Sequence, residues 1–164
     1  MDSFDDVLSA NAEYAKQFRD PGRPGKAARG LAVVTCMDSR VSPLEMLGLE
    51  PGDAKILRNA GARVTDDVLR TLVLAVHLLD VNRVMVVAHT DCRMTKVTDE
   101  EVHEEMLGRG IDTRSLEFRT ISDQRRELAL DVQRIRSSPY LIKDLAVIGA
   151  IYDVKTGLIE VAVP

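Results

Sequence analysis

Residues 31–40 read LAVVTCMDSR, and the fold turns on how this stretch divides. Leu31–Thr35 is a short apolar run rich in β-branched side chains, the pattern of a strand buried on both faces. Such strands belong to parallel sheets, which need a crossover segment, usually a helix, between one strand and the next. Cys36, Asp38 and Arg40 then follow at alternate positions, where the strand runs out. In open α/β sheets, binding sites collect just beyond the carboxyl ends of the strands.

The alternation continues on both sides of this stretch. AKILRN (54–59) and RVMVVAH (83–89) read as two further short strands. SPLE (42–45) predicts a helix start, with Ser42 as cap, Pro43 in the first turn and Glu45 closing a capping box; Gly48 fits its end. Thr65 caps a helix through Leu79, with Asp66 and Asp67 at its positive end. Thr98 and Glu101 form a capping box for a helix to about Leu107, and Ser122 to about Arg136 is amphipathic and helical. LAVIGAIYD (145–153) and LIEVAV (158–163) predict a closing hairpin. Residues 4–18 form an N-terminal helix with Ser3 as its candidate cap. Its apolar positions (Phe4, Val7, Leu8, Tyr14, Phe18) make no single stripe, which fits packing on a partner chain. DPGRPGKAARG (20–30) is a connector. The expected architecture is one α/β domain over residues 1–164, with 1–30 as N-terminal helix and connector. A central, mainly parallel sheet is flanked by helices and ends in an antiparallel edge strand.

The 164 residues suit one domain with a real core, and 45% hydrophobic with 29% charged residues is an ordinary globular balance. A net charge of −4 argues against a nucleic-acid partner. No segment reaches the length of a membrane span, and MDSFDDVL lacks the basic start of a signal peptide. The expectation is therefore a cytoplasmic protein. Two cysteines are too few for a disulfide scaffold.

Both cysteines fall at strand ends. Strand 31–35 runs into Cys36, and strand 84–88 runs into His89-Thr90-Asp91-Cys92. If these strands are neighbours, Cys36, His89 and Cys92 face one crevice, as the right-handed crossover rule allows. Two thiolates and an imidazole are a ligand set for tetrahedral zinc with one position left over. Asp38 fills that position, or Arg40 holds the carboxylate away in a bidentate pair and leaves the position to water. Two buried thiols beside a surface Asp–Arg pair are the plain alternative. The remaining polar residues have plain readings too: His77 as a packing side chain of its helix, His103 as part of a solvated charged face, Asp91 as a turn residue. Arg58, Asn59 and Gly61 follow a strand end and shape the pocket wall.

CMDSR (36–40) and AHTDC (88–92) together resemble the paired motifs of the β-class carbonic anhydrases. GDAKILRNAGARV (52–64) and IGAIYDVKTGLIEV (148–161) extend the resemblance over most of the chain. The resemblance implies that Cys36, His89 and Cys92 hold Zn2+, that Asp38 is a displaceable fourth ligand, and that Arg40 is its partner. It further implies a homodimer or homotetramer, with the N-terminal helix reaching across the dimer. The chain departs from the family in having Arg93 where glycine usually follows the second cysteine, and in having no Trp.

The function so implied is zinc-dependent, reversible hydration of carbon dioxide to bicarbonate and a proton. The metal supplies hydroxide near neutral pH, and Asp38 with Arg40 gates and orients it. The alternatives are a hydrolase of carbon disulfide or carbonyl sulfide on the same fold, and a non-catalytic zinc or redox module.

Overall fold

The computed structural model describes residues 3–164; Met1 and Asp2, inside the expected span 1–164, lie outside the described residues. Its elements alternate as α1 (Asp5–Gln17), β1 (Leu31–Cys36), α2 (Pro43–Met46), β2 (Ala54–Asn59), α3 (Asp66–Leu78), β3 (Arg83–His89), α4 (Asp99–Gly108), α5 (Gln124–Arg136), β4 (Ala146–Tyr152) and β5 (Ile159–Val163). Short 3-10 turns follow β2 at Ala60–Ala62 and β3 at Arg93–Thr95.

The strands form one sheet in the order β2-β1-β3-β4-β5. The first four are parallel, and β5 returns antiparallel to β4 as the edge strand. The chain moves from β1 outward to β2, then reverses across β1 to reach β3. With right-handed crossovers, that reversal puts α2 on one face of the sheet and α3 and α5 on the other. The core agrees. Val68, Leu72 and Ala75 of α3 and Leu128, Val132 and Ile135 of α5 share one buried cluster with Ala32, Val34, Val84, Val86 and Val147. On the opposite face, Leu47 and Leu49, just after α2, line a cleft with Leu31, Met85 and Ile148. No helix among the described residues is long and apolar enough to cross a membrane.

Local signals held unevenly. Thr65 Oγ1 accepts the Val68 N–H, and Thr98 with Glu101 forms the full capping box. Ser3 is not a cap: α1 begins after Phe4, with no side-chain cap. Ser42 stands at the cap of α2 without a side-chain hydrogen bond, and this helix is a single turn that Gly48, in the left-handed region at φ 60°, closes at once. Asp123 caps α5, its carboxylate accepting the Arg126 N–H at 3.1 Å. His103 is not on a solvated face. The segment after α4 folds back over the helix, bringing Thr113 Oγ1 to 2.8 Å from His103 Nδ1 and Phe118 against its ring. Asp99 pins that segment by accepting the N–H groups of Phe118, Arg119 and Thr120.

Helix α5 lies so close to β4 that a Cβ on Gly149 would meet Leu128 Cγ at 2.9 Å and Val132 Cγ2 at 3.0 Å. Gly149→Ala is therefore expected to cost about 1–3 kcal/mol of stability by overpacking, read as a lower urea midpoint. An unchanged midpoint would mean that α5 can retreat from the sheet.

Candidate metal centre

The reversal between β2 and β3 leaves a crevice at the carboxyl ends of β1 and β3, the place where open α/β sheets bind ligands. Thr35 pairs with Val87, so Cys36 and His89 leave the sheet beside one another. The strand ends are held by side chains. Thr35 Oγ1 donates to the Val87 carbonyl at 2.9 Å. Arg58 donates from Nε to the Cys36 carbonyl at 2.9 Å and from Nη2 to the Asp38 carbonyl at 2.7 Å. Gln124, at the start of α5, donates to the His89 carbonyl at 2.8 Å.

Cys36, His89 and Cys92 are buried, and their donor atoms lie within 4.8 Å of one another. The two sulfurs are 3.9 Å apart. Zinc–sulfur bonds of about 2.3 Å at a tetrahedral angle place two thiolates about 3.8 Å apart, so the spacing fits. His89 Nδ1 is 2.9 Å from the Thr90 carbonyl, which only accepts, so the ring proton belongs on Nδ1. That leaves the lone pair on Nε2, which is buried without a hydrogen-bond partner. An orphaned acceptor beside two thiols is what a metal would satisfy.

The thiols differ. Hydrogen bonding from Cys92 holds Cys36 well below the ordinary thiol range, with the Gly61 N–H, 3.4 Å from its sulfur, in support. The same contact, with burial, pushes Cys92 up. Gly61 has φ 80°, and a Cβ there would press on Ile121 Cδ1 at 3.1 Å and Met94 Cγ at 3.2 Å. Its N–H can approach the sulfur only because it has no side chain.

Asp38 is drawn to Arg40. Arg40 donates from Nε to Oδ1 at 3.0 Å and from Nη2 to Oδ2 at 2.8 Å, and its backbone N–H reaches Oδ1 at 2.9 Å. These bonds hold the carboxyl far below the usual carboxylate range, so it is ionised. Its Oδ2 nevertheless lies 3.8 Å from His89 Nε2. Of the two readings of Asp38, the geometry is that of the carboxylate held by arginine. Asp91 does take a left-handed turn, with φ 58°, but its carboxylate is not spent on backbone donors. It pairs with Lys96 and, at 2.8 Å, with Arg40, which together lower it to about 2. Gln124 was missed altogether. It lies in a distant element, and nothing local marks it.

A sequence model described as carbonic anhydrase matches residues 31–159. β-Carbonic anhydrase 1 of Mycobacterium tuberculosis is 32% identical over 98% of both chains. The chain belongs to the β-carbonic anhydrase family. The crystal structure of carbonic anhydrase from Streptococcus mutans superposes with a TM-score of 0.93 at 37% identity, covering 99% of this chain and 98% of that one. The carbon disulfide hydrolase of an Acidianus strain is also similar, 34% identical over 93% of this chain and 85% of its own. Enzymes of two named activities therefore resemble this β-carbonic anhydrase family member. Where the family pattern has glycine, Arg93 opens the turn after Cys92, exposed and without an ion pair among the described residues.

Titration of the metal-free chain with Zn2+ should show uptake of about one equivalent with proton release, and affinity falling as pH falls, because thiols must ionise to bind. Cys92→Ser and His89→Ala should each weaken uptake beyond the roughly 10–100-fold cost of losing an outer-shell partner. Undiminished affinity in a competition assay would place the metal elsewhere.

Proposed function

We propose that this chain hydrates carbon dioxide reversibly to bicarbonate and a proton, with Zn2+ held by Cys36, His89 and Cys92. Zinc in such a site lowers the pKa of a water to about 7, or somewhat higher with two thiolate donors, and so supplies hydroxide for attack on a carbon electrophile. The observation that carries the reading is the bidentate Asp38–Arg40 pair beside the three donor atoms. A closed structural site takes four protein ligands, whereas a catalytic one keeps a position free. Arg40 holds the Asp38 carboxylate in its own fork and so supports the open arrangement.

Asp38 then has a defined task. An ionised carboxylate accepts hydrogen bonds and donates none. Only an oxygen that presents its proton to Asp38 fits beside it, which leaves a lone pair facing the substrate carbon. Arg40 keeps Asp38 ionised and in place, and Arg58 fixes its backbone. The Gly61 N–H favours the charged form of Cys36.

Hydrolysis of carbon disulfide is the second reading, because the Acidianus relative carries that name and the attack on a linear triatomic is the same. The end-to-end match with the Mycobacterium tuberculosis and Streptococcus mutans proteins favours carbon dioxide. The protein acts as a homodimer or homotetramer in this reading. Every residue of α1 is exposed, including Val7, Leu8 and Tyr14, and a second copy is the natural cover.

Stopped-flow assays with carbon dioxide and carbon disulfide on zinc-loaded protein discriminate the two substrates. Asp38→Asn should slow carbon dioxide hydration by about 100-fold or more while zinc content stays constant. Near-parental turnover would remove Asp38 from the reaction, and turnover of carbon disulfide alone would select the second reading.

A further inference from the structure

The Asp38–Arg40 pair has a twin elsewhere on the molecule. Asp112 and Arg114 share its spacing, and Arg114 donates from Nε to Oδ1 at 2.9 Å, from Nη2 to Oδ2 at 2.7 Å and from its backbone to Oδ1 at 3.1 Å. The bonds repeat those of Arg40 one for one. Yet Arg114 is 84% exposed, in a loop remote in sequence from the donor cluster. An Asp-x-Arg stretch thus forms this fork unaided, and exposed pairs of this kind contribute little.

What sets Arg40 apart is its other edge. Nη1 donates to Asp91 Oδ2 at 2.8 Å, and Nη2 also reaches the Asp91 carbonyl at 3.1 Å. The other carboxylate oxygen of Asp91 pairs with Lys96. Asp91 sits between His89 and Cys92, so this contact joins the loop carrying Cys36 and Asp38 to the loop carrying the other two donors.

We propose that Asp91 is a positioning residue of the metal centre, acting through Arg40: it grips the guanidinium from the side away from Asp38. Resting on Asp38 alone, the long Arg40 side chain is free to swing out on its stem with the carboxylate, as a surface pair does. With carboxylates at two edges, the planar fork is fixed in plane and direction. Asp38 is then held toward arginine at the correct angle beside the donor atoms. The left-handed backbone that aims Asp91 is one that aspartate tolerates better than most residues. The inference deepens the functional reading above and rests on it for its kinetic test.

Asp91→Gly removes the carboxylate without straining a positive φ. In the zinc-loaded protein it should leave metal content unchanged and lower kcat by about fivefold or more, with KM little altered. In an Arg40→Ala background the same change should cost less than about twofold, since two residues acting as one unit are not additive. Asp91→Asn, which keeps the shape and an acceptor oxygen, should recover most of the loss. In the metal-free chain, the Arg40 Nε–H should exchange slowly by NMR in the parent and fast in Asp91→Gly. Undiminished kcat, an equal loss in the Arg40→Ala background, or unaltered Nε–H exchange would each overturn the proposal. If the parent turns over neither carbon dioxide nor carbon disulfide, the functional reading fails, and the Nε–H exchange alone decides the role of Asp91.

Discussion

Parallel pairing of β1 with β3 is the constraint on which the rest of the molecule depends. The two strands are distant in sequence, yet their register sets Cys36 and His89 side by side at the edge of the crevice. The pairing is fixed by burial on both faces: Ala32, Val33 and Val34 of β1 and Val86 and Val87 of β3 have no accessible surface. A slip of one residue would turn each strand's side chains to the opposite face and pull the donor atoms apart. Chain reversal between β2 and β3 then leaves this pair of strand ends uncovered, while α3 and α5 insulate the far face of the sheet.

Around the donor atoms, the chain satisfies almost every polar group and leaves one acceptor open. Thr35, Arg58, Gln124 and Gly61 occupy backbone carbonyls and one sulfur with directed hydrogen bonds. Among the described residues, His89 Nε2 is the one buried side-chain nitrogen or oxygen without a hydrogen-bond partner. A buried polar atom left unpaired costs about 1–3 kcal/mol. Its polar neighbours are the two thiols and, at 3.8 Å, the Asp38 carboxylate that Arg40 holds, so a ligand bound among them would recover that free energy. The supports come from β1, β2, α5 and the turn after β2, so the geometry of the centre is a property of the whole sheet.

Much of this was legible in the sequence because its signals are local. The short strand patterns gave all five strands their places, and the parallel sheet with an antiparallel edge followed from their alternation with helices and from the closing hairpin. Cys36 and His89 stood out because they end strands, Cys92 because it follows three residues after one, and Asp38 with Arg40 because alternate residues of an extended segment share a side. Caps were less dependable. Ser3 and Ser42 both carry suitable hydroxyls, but one helix started late and the other was a single turn. Contacts across the fold were invisible. Gln124 reaches His89 from a helix far along the chain, and the partners of Asp91 and His103 depend on how loops fold back.

Helix α1 has a different standing from the others. None of its residues is buried, and its 13-residue length is marginal for an isolated helix in water. Its side-chain contacts within the protomer, such as the Lys16–Glu13 pair and the Tyr14 ring against Phe18, are exposed and offset little of the entropy of ordering it. In the homodimer or homotetramer proposed above, its order would be a second-order quantity, rising with the product of protomer concentrations as another copy supplies the missing surface. In that assembly, dilution would unravel this terminus before it disturbed the sheet, and the amino end would report association while the crevice kept its shape.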